Sequence, residues 1–556
     1  MLNVRFPCAL HLNSPSIAMN HTLRLTALVA AMSMTGLAQG QTAPDAGQIL
    51  QQQQQRVPQL PRSGPTIDLQ APSAAPTLPG GQQVLLQSVS IRGATVLTEA
   101  DLLKALGDAA GRSFDLAGLR ALASQVADVY RSAGYPFARA FLPPQPLRDG
   151  RLVIEVIEGR YGRVQAEGDG QQDAQRFLQA LQPGSVIESR QLERTTLILD
   201  DQPGYKSSPI IRPGAEVGSG DLMVRMTREP SLEGSVGADN HGNRYSGYHR
   251  VRASANINSP FQFGDQLSLT GLVSEENLRL GSVNYSAPLG SSGWRGTLSY
   301  AYTSYELGRE FAASQTHGTA EVSSVGVSYP LVRSQKSNVT LLATAQHKRL
   351  KDAANAQPTD IKSSDSVPLT LQFDHRDSLA GGGITFGSVS WTQGKLQRNP
   401  ANDNNTLGSF GKFNLDVIRL QSLPVGFSLY GRVSMQTANK NLDSSEGMVL
   451  AGPAGVRAYP VGEASGDEGW LTQLELRYSL GEYAPYAFYD HGRVRTDAKG
   501  PKIERDLAGG GVGLRYLRGA WSADLALAWR GQGGRPVDAK ERDAKPRMWL
   551  SASYRF

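Results

Sequence analysis

The sequence predicts two small α+β units followed by an all-β membrane barrel, on three observations. Two consecutive stretches read strand, helix, helix, strand, strand. From about Pro230 the texture changes to short segments in which apolar and polar residues alternate, separated by Gly, Ser, Asn and Asp. No segment holds the 18 or more consecutive apolar residues that a spanning helix needs, so strands are left as the way to cross a bilayer.

Composition narrows the function before any motif does. At 556 residues the chain exceeds an ordinary domain, and its 60 glycines exceed the usual share, which favours many turns. A net charge of +6 is too dilute for a nucleic-acid footprint, which would need Lys and Arg clustered on one face. The single cysteine, Cys8, removes disulfide, thiol-nucleophile and cysteine-metal chemistry from the rest of the chain.

From Met19 a short basic region carrying Arg24, an apolar run Leu25 to Leu37 and the small-x-small triplet Ala38-Gln39-Gly40 read as a secretory signal peptide. Residues 1–40 are therefore expected to be an over-extended start plus that peptide, with the true start at Met19. Asp45 to Val57, within 41–57, is a Gln-rich helix with almost no apolar face, too polar to be anchored by hydrophobic packing. Residues 58–83 carry Pro58, Pro61, Pro65, Pro72, Pro76 and Pro79 and read as a stiff linker.

The first α+β unit, 84–160, places Leu116, Leu119, Leu122, Val126, Val129 and Tyr130 on one stripe of its second helix, which Gly134 ends as a C-cap. The second unit, 161–229, has helices over Asp173 to Leu181 and Glu188 to Asp200. In the remainder, 230–556, Leu474, Leu476, Tyr478 and Leu480 alternate with Gln473, Glu475, Arg477 and Ser479, and Trp521, Ala523, Leu525, Leu527 and Trp529 alternate with Ser522, Asp524, Ala526, Ala528 and Arg530. Charges on the alternate face suit a wide, wet lumen. Strands of about 10 residues with their turns allow roughly 14 to 18 of them.

The chain holds no G-x-S-x-G, H-E-x-x-H or Walker motif, and the nearest catalytic cluster, Asp374-His375-Arg376-Asp377, alternates faces along a strand and cannot converge. No enzyme activity, catalytic residue, metal or cofactor is expected.

Several motifs resemble one family, the outer-membrane transporters of two-partner secretion. G-Y-P-F-A-R-A, L-P-P-Q and G-x-L-x-I-x-V-x-E-G resemble its first polypeptide-transport-associated (POTRA) domain; Pro203-Gly204 and the G-x-x-x-G-x-x-x-L-x-V run from Gly214 to Val224 resemble its second. Asn441 to Trp470 resembles its reentrant loop, with Val456, Arg457, Ala458 and Tyr459 as the loop motif, and Phe488-Tyr489-Asp490-His491-Gly492 resembles the F-x-D-x-G motif of the facing wall. Gly237 to Gly242, Tyr305 to Gly308 and Tyr329 to Ser334 continue the likeness.

The resemblance implies POTRA domains in the periplasm, a barrel of about 16 strands in the outer membrane and a plug formed by the helix of 41–57. It also implies a strand ending near Leu450 before the loop of 450–470, pairing of lumenal Arg457 with Asp490, packing of Val456 and Tyr459 at the tip, and close approach at Gly492. The terminal Phe556, on one face with Met548, Leu550, Ala552 and Tyr554, matches the insertion signal read by the barrel assembly machinery. The implied activity is export of one partner exoprotein, an adhesin or haemolysin-like protein bound through the POTRA domains; the further partners are outer-membrane lipid and that machinery, with no nucleic acid. The alternatives are a barrel assembly factor and, in another class, a passive solute porin. Two departures stand out: the family usually has glycine at Ala458 and a Gly-Gly pair where Ala451-Gly452-Pro453 stands, which predicts a strained loop tip if either alanine must adopt positive φ.

Overall fold

The computed structural model describes residues 43–54, 61, 80, 82–147, 149–399, 405–496, 503–537 and 545–556. The expected leader, 1–40, and nearly all of the proline-rich linker lie outside the described residues. Residues Pro44–Phe556 form one compact unit.

Sixteen antiparallel strands, running from Leu232–Asp239 to Arg547–Arg555, close into a barrel. Closure joins first strand to last: Val236 is in register with Tyr554 and Asp239 with Ser551. The main chain of Phe556 then exchanges hydrogen bonds of 2.9 and 3.0 Å with Gly234, so the terminal residue zips the seam. In hydrocarbon an unpaired edge would leave backbone groups without partners, and closure removes that edge.

The alternation sorts as its sequence pattern demands. Leu474 and Leu476 are about half exposed, whereas Gln473 and Glu475 between them are buried in the lumen. Trp294, Phe427, Trp521 and Tyr554 form an exposed aromatic belt near the end carrying the short turns, and Tyr302, Trp391, Tyr489 and Trp529 form another further along the strands. Two belts around an apolar band are how a barrel meets the two faces of a bilayer.

Two POTRA-like units precede the barrel. In the first, strand Arg151–Ile157 lies between Ser88–Arg92, parallel to it, and Arg139–Phe141, antiparallel. Two helices, α2 (Glu99–Leu106) and α3 (Leu116–Ser132), cover the sheet; α1 is the lumenal helix Ala46–Gln54 described below. Thr98 caps α2 and Asp115 caps α3 through their side chains. Leu119, Leu122, Val126 and Tyr130 are buried as the stripe requires. Leu116 is a correction: it occupies the first turn of α3, before the helix reaches the sheet, and is half exposed. Gly134 takes φ 96° and the Tyr135 amide returns to the Tyr130 carbonyl at 2.9 Å, a left-handed C-terminal cap.

The second unit repeats the plan. Its central strand Ser219–Arg228 lies parallel to Arg160–Gly168 and antiparallel to Tyr205–Pro213. Its helices are α4 (Gln171–Phe177), continued as a 3-10 turn Leu178–Ala180, and α5 (Ser189–Asp200). This unit is fixed to the barrel's short turns: Phe263 stacks on Tyr205 at 4.4 Å, and Arg333 grips Asp201 with two hydrogen bonds of 2.7 Å.

Glu158 holds the joint between the two units. Its carboxylate accepts from the Thr95 amide (2.5 Å) and hydroxyl, the Val96 amide (2.8 Å), the Tyr130 hydroxyl (3.1 Å) and Arg160 (3.0 Å). Burial alone pushes this carboxyl up, but the donors of Thr95, Val96 and Tyr130 outweigh it and hold the group below its ordinary range. Its stabilising contribution is therefore complete above the unfolded glutamate value near ~4.3 and is lost as pH falls through the lower folded value. Glu158→Ala should destabilise residues 84–160 by about 3 kcal/mol, by stranding buried donors. Hydrogen exchange at Thr95 and Val96 measures this, and unchanged protection at neutral pH would contradict it.

Candidate functional site: the lumenal loop and helix

The segment between the barrel strands Phe427–Ala438 and Glu468–Tyr478 turns into the lumen. The barrel strand ends at Ala438, not near Leu450. Met448–Val449 instead pairs with Ser465–Gly466 in a two-stranded hairpin inside the loop. Around it Leu450, Ala451, Val456, Ala458 and Tyr459 join Leu471, Phe488, Leu507 and Trp549 of the wall in an apolar cluster.

Arg457 is at the tip of this loop, about 5% exposed. Its Nε and Nη2 donate to the two oxygens of Asp490 at 2.8 and 2.7 Å, and its own amide donates to Asp490 at 3.0 Å. Its Nη1 donates to Glu475 at 2.6 Å, and its guanidinium lies 3.6 Å from the centre of the Phe488 ring. The Trp549 indole N–H donates to the Arg457 carbonyl at 2.7 Å. Gln473 bridges the Gly455 carbonyl at 2.9 Å. The sequence motifs thus meet in space: Arg457 on Asp490 and Phe488, Val456 and Tyr459 buried, and the Tyr459 hydroxyl donating to the carbonyls of Gln532 and Gly534.

Gly492 is where the loop touches the wall: a Cβ there would sit 2.5 Å from the Leu450 side chain and 2.6 Å from the Trp470 carbonyl. Ala458 does not carry the expected strain. Positive φ in the tip falls on Gly452 (121°) and Gly462 (86°), and Ala458 is outside that region. Its methyl instead fills the space over Gly509, where a side chain would collide with it and with the Trp529 carbonyl.

Sequence reasoning missed the second acceptor. Glu475 receives Arg457, Arg477 (2.8 Å) and Arg515 (3.1 Å), and Arg515 also pairs with Asp524 at 2.8 Å, so three arginines face three carboxylates. The signal was the alternation itself, which put Gln473 and Glu475 on the lumenal face.

The second lumenal element is α1, Ala46–Gln54. Asp45 caps it through the Gln48 amide (2.8 Å) and pairs with Lys362 on the wall (2.8 Å). The Ala46 amide donates to Asp352 at 2.8 Å, and Gln53 accepts from Arg250, on the second barrel strand, at 3.1 Å. Partners so far apart around the wall place the helix across the lumen. Its apolar face is larger than the Gln run suggests, because Ala46, Ile49 and Leu50 are fully buried. Helix and loop share Lys362, which also holds Asp443 at 3.0 Å at the loop's entrance. Nearby Lys348 and Lys412 clamp Glu446 at 2.6 and 2.8 Å.

With this geometry in view, comparison with known proteins decides the family. The profile of the haemolysin secretion/activation proteins ShlB/FhaC/HecB matches residues 218–516, more than half of the chain, and the ShlB-type POTRA profile matches residues 84–159. The chain belongs to this family. It is similar to the heme/hemopexin transporter protein HuxB of Haemophilus influenzae strain 86-028NP, 27% identical over 94% of this chain and 96% of the relative. It is 25% identical to the hemolysin transporter protein ShlB of Serratia marcescens over 83% of this chain and 85% of the relative. Among solved structures, CdiB from Escherichia coli superposes with a TM-score of 0.73 at 20% identity, covering 97% of this chain and 100% of that one, which shows the shared fold. Like the family, the chain is an outer-membrane transporter of two-partner secretion, its POTRA domains in the periplasm.

Because Arg457 has two buried carboxylate partners, Arg457→Ala should impair secretion more than Asp490→Ala, which leaves its pair with Glu475 intact. Removing one member of a buried pair costs about 3–5 kcal/mol locally, enough to empty the docked state of the loop. Arg457→Lys should restore only part of the loss, since an ammonium cannot reach both carboxylates and stack on Phe488. The measure is exported protein per folded barrel; equal effects of Arg457→Ala and Asp490→Ala would refute the shared role.

Proposed function

We propose that the chain exports one partner exoprotein in extended form, captured on its POTRA sheets and passed through a lumen that α1 and the reentrant loop occupy at rest. The observation that carries the reading is a closed barrel whose interior is filled by two separate elements, α1 and the loop, each tied to the wall by hydrogen bonds and ion pairs as well as by apolar contact. A solute porin has no use for such periplasmic units, and the family match favours secretion over barrel assembly. The names of the relatives, a heme/hemopexin transporter and a hemolysin transporter, point to an exoprotein of the heme/hemopexin or hemolysin kind.

Capture by strand addition suits the sheets described above. Edge strand Tyr205–Pro213 offers a main-chain edge interrupted at Pro209 and Pro213, and Arg139–Phe141 a shorter one that includes the partly exposed Phe141. Main-chain hydrogen bonds tolerate many sequences, which fits a cargo bound before it folds. Nothing in this transit calls for enzyme chemistry, a metal or a cofactor. In this reading Arg457 and Asp490 hold the loop to the wall, and Phe556 presents the last strand to the barrel assembly machinery.

Deleting residues 84–228 should leave a heat-modifiable barrel in the membrane that exports nothing, while the levels of other outer-membrane barrels stay constant. A fall in those other barrels would instead favour the assembly-factor reading. Separately, removing residues 45–57, or making Lys362→Ala to cut the helix from the wall, should raise single-channel conductance in planar bilayers with the barrel still folded. Unchanged conductance in both would refute α1 as the plug.

A further inference from the structure

The outer wall carries charges that the transport mechanism does not use. On outward-facing positions beyond the second aromatic belt, two arginines are neutralised by their neighbours: Arg493 pairs with Asp506 and Arg495 with Glu504, each at 2.7 Å. Three other outward cations, Arg349, Lys351 and Lys395, have no hydrogen-bond or ion-pair partner among the described residues. They cluster, since His347, Asp365 and Lys395 are in register across three adjacent strands, and Arg349 and Lys351 follow His347 on the same face. Long side chains from strands about 4.8 Å apart reach one another's surroundings easily.

Their height matters. Lys395 lies 12 residues from the periplasmic start of its strand at Gly383, and Arg349 lies 12 from Ser337. A rise of about 3.3 Å per residue at a tilt of about 40° lifts them roughly 30 Å along the barrel axis, just above an apolar band about 25 Å tall. That is the depth of the outer leaflet's headgroups.

Directly below runs an open groove of about 720 Å³ in the lipid-facing wall. The small side chains Ser323 and Ala345 form its floor, and Tyr300, Val325 and Val367 line it. At its upper end His347 engages Asp365 at 2.7 Å, which occupies the carboxylate in register with Lys395. Glu321, in register with Arg349, is the other carboxylate of the patch, so the cluster keeps an excess of positive charge.

We propose that this surface is a binding site for a phosphorylated, multiply acylated glycolipid of the outer leaflet, its phosphate on Arg349, Lys351 and Lys395 and one acyl chain in the groove beneath. Unpaired cations above an apolar channel fit an anionic head joined to a hydrocarbon tail, and neither feature is explained by cargo, which passes inside. The site would hold that side of the barrel against the asymmetric leaflet while the seam between first and last strands stays elsewhere on the wall.

The test uses the full-length transporter purified in detergent, its folded fraction verified by heat-modifiable mobility. It is titrated in native mass spectrometry with a hexa-acylated glucosamine disaccharide carrying two phosphates, and with the same lipid dephosphorylated. The bisphosphorylated lipid should bind, and loss of either the phosphates or the three cations (R349S/K351S/K395S) should weaken binding at least about tenfold, in keeping with the attraction that single basic residues exert on anionic lipid surfaces. R493S/R495S, which removes two already paired cations at similar height, should bind as the unaltered protein does. Ala345→Phe, which fills the groove floor and keeps every charge, should also weaken binding. Equal binding by the triple variant, equal loss in the paired-cation control, no effect of Ala345→Phe, or displacement of the lipid by inorganic phosphate at matched concentration would each overturn the proposal.

Discussion

The lumen is organised around one buried cation. A loop of nearly thirty residues inside a wet pore has a large entropy to lose on docking, and the apolar cluster at its tip is one part of what offsets that loss. Arg457 supplies the rest by binding two carboxylates, an aromatic face and, through its main chain, Asp490 and Trp549. The planar guanidinium can satisfy all of these directions at once, which an ammonium could not. Because Arg477 and Arg515 share Glu475 and Arg515 reaches Asp524, the cluster is neutral as a whole, and no member is left as a bare charge in a confined space.

The wall had to be shaped for this loop. Phe488, Asp490 and Gly492 project from one strand toward the lumen, and on the adjoining strand Gly509 and Gly511 stand in register with Asp490 and Phe488. The missing side chains leave the depression that the Ala458 methyl and the Phe488 ring occupy. The reentrant motif and the glycine-rich strand Ile503–Arg518 are thus two halves of one packing solution.

Fold class was legible because barrel strands obey a strict period of two, and that period also marks which residues are wet. Leu474 and Glu475 differ in fate for no other reason. The Arg457–Asp490 pair was legible only through resemblance to a family, since 33 residues of sequence separate them and spacing carries no contact information at that range. Glu475 was visible as a lumenal position but not as a partner of Arg457, because strand periodicity gives a residue's side of the wall and not its angular position around the pore; Trp549 was not singled out at all. The apolar face of α1 was misjudged for a different reason: in a nine-residue helix the two side chains Ile49 and Leu50 suffice to make a buried stripe once the barrel surrounds them. The end of the barrel strand at Ala438 was hidden by the loop's own hairpin, whose Met448–Val449 imitates a strand continuation.

The two lumenal elements share Lys362, and this bears on what holds one when the other leaves. At the loop tip Arg457, Val456 and Tyr459 are almost wholly buried, so undocking exposes apolar surface and desolvated charge together. At the start of α1 the Asp45 carboxylate is about 30% exposed, and its partner Lys362 keeps Asp443 when Asp45 departs. The loop entrance retains its own ion pairs at Lys348, Lys362 and Lys412 after the helix has gone. In the proposed transit, a cargo that displaces α1 therefore leaves the loop entrance tied to the wall.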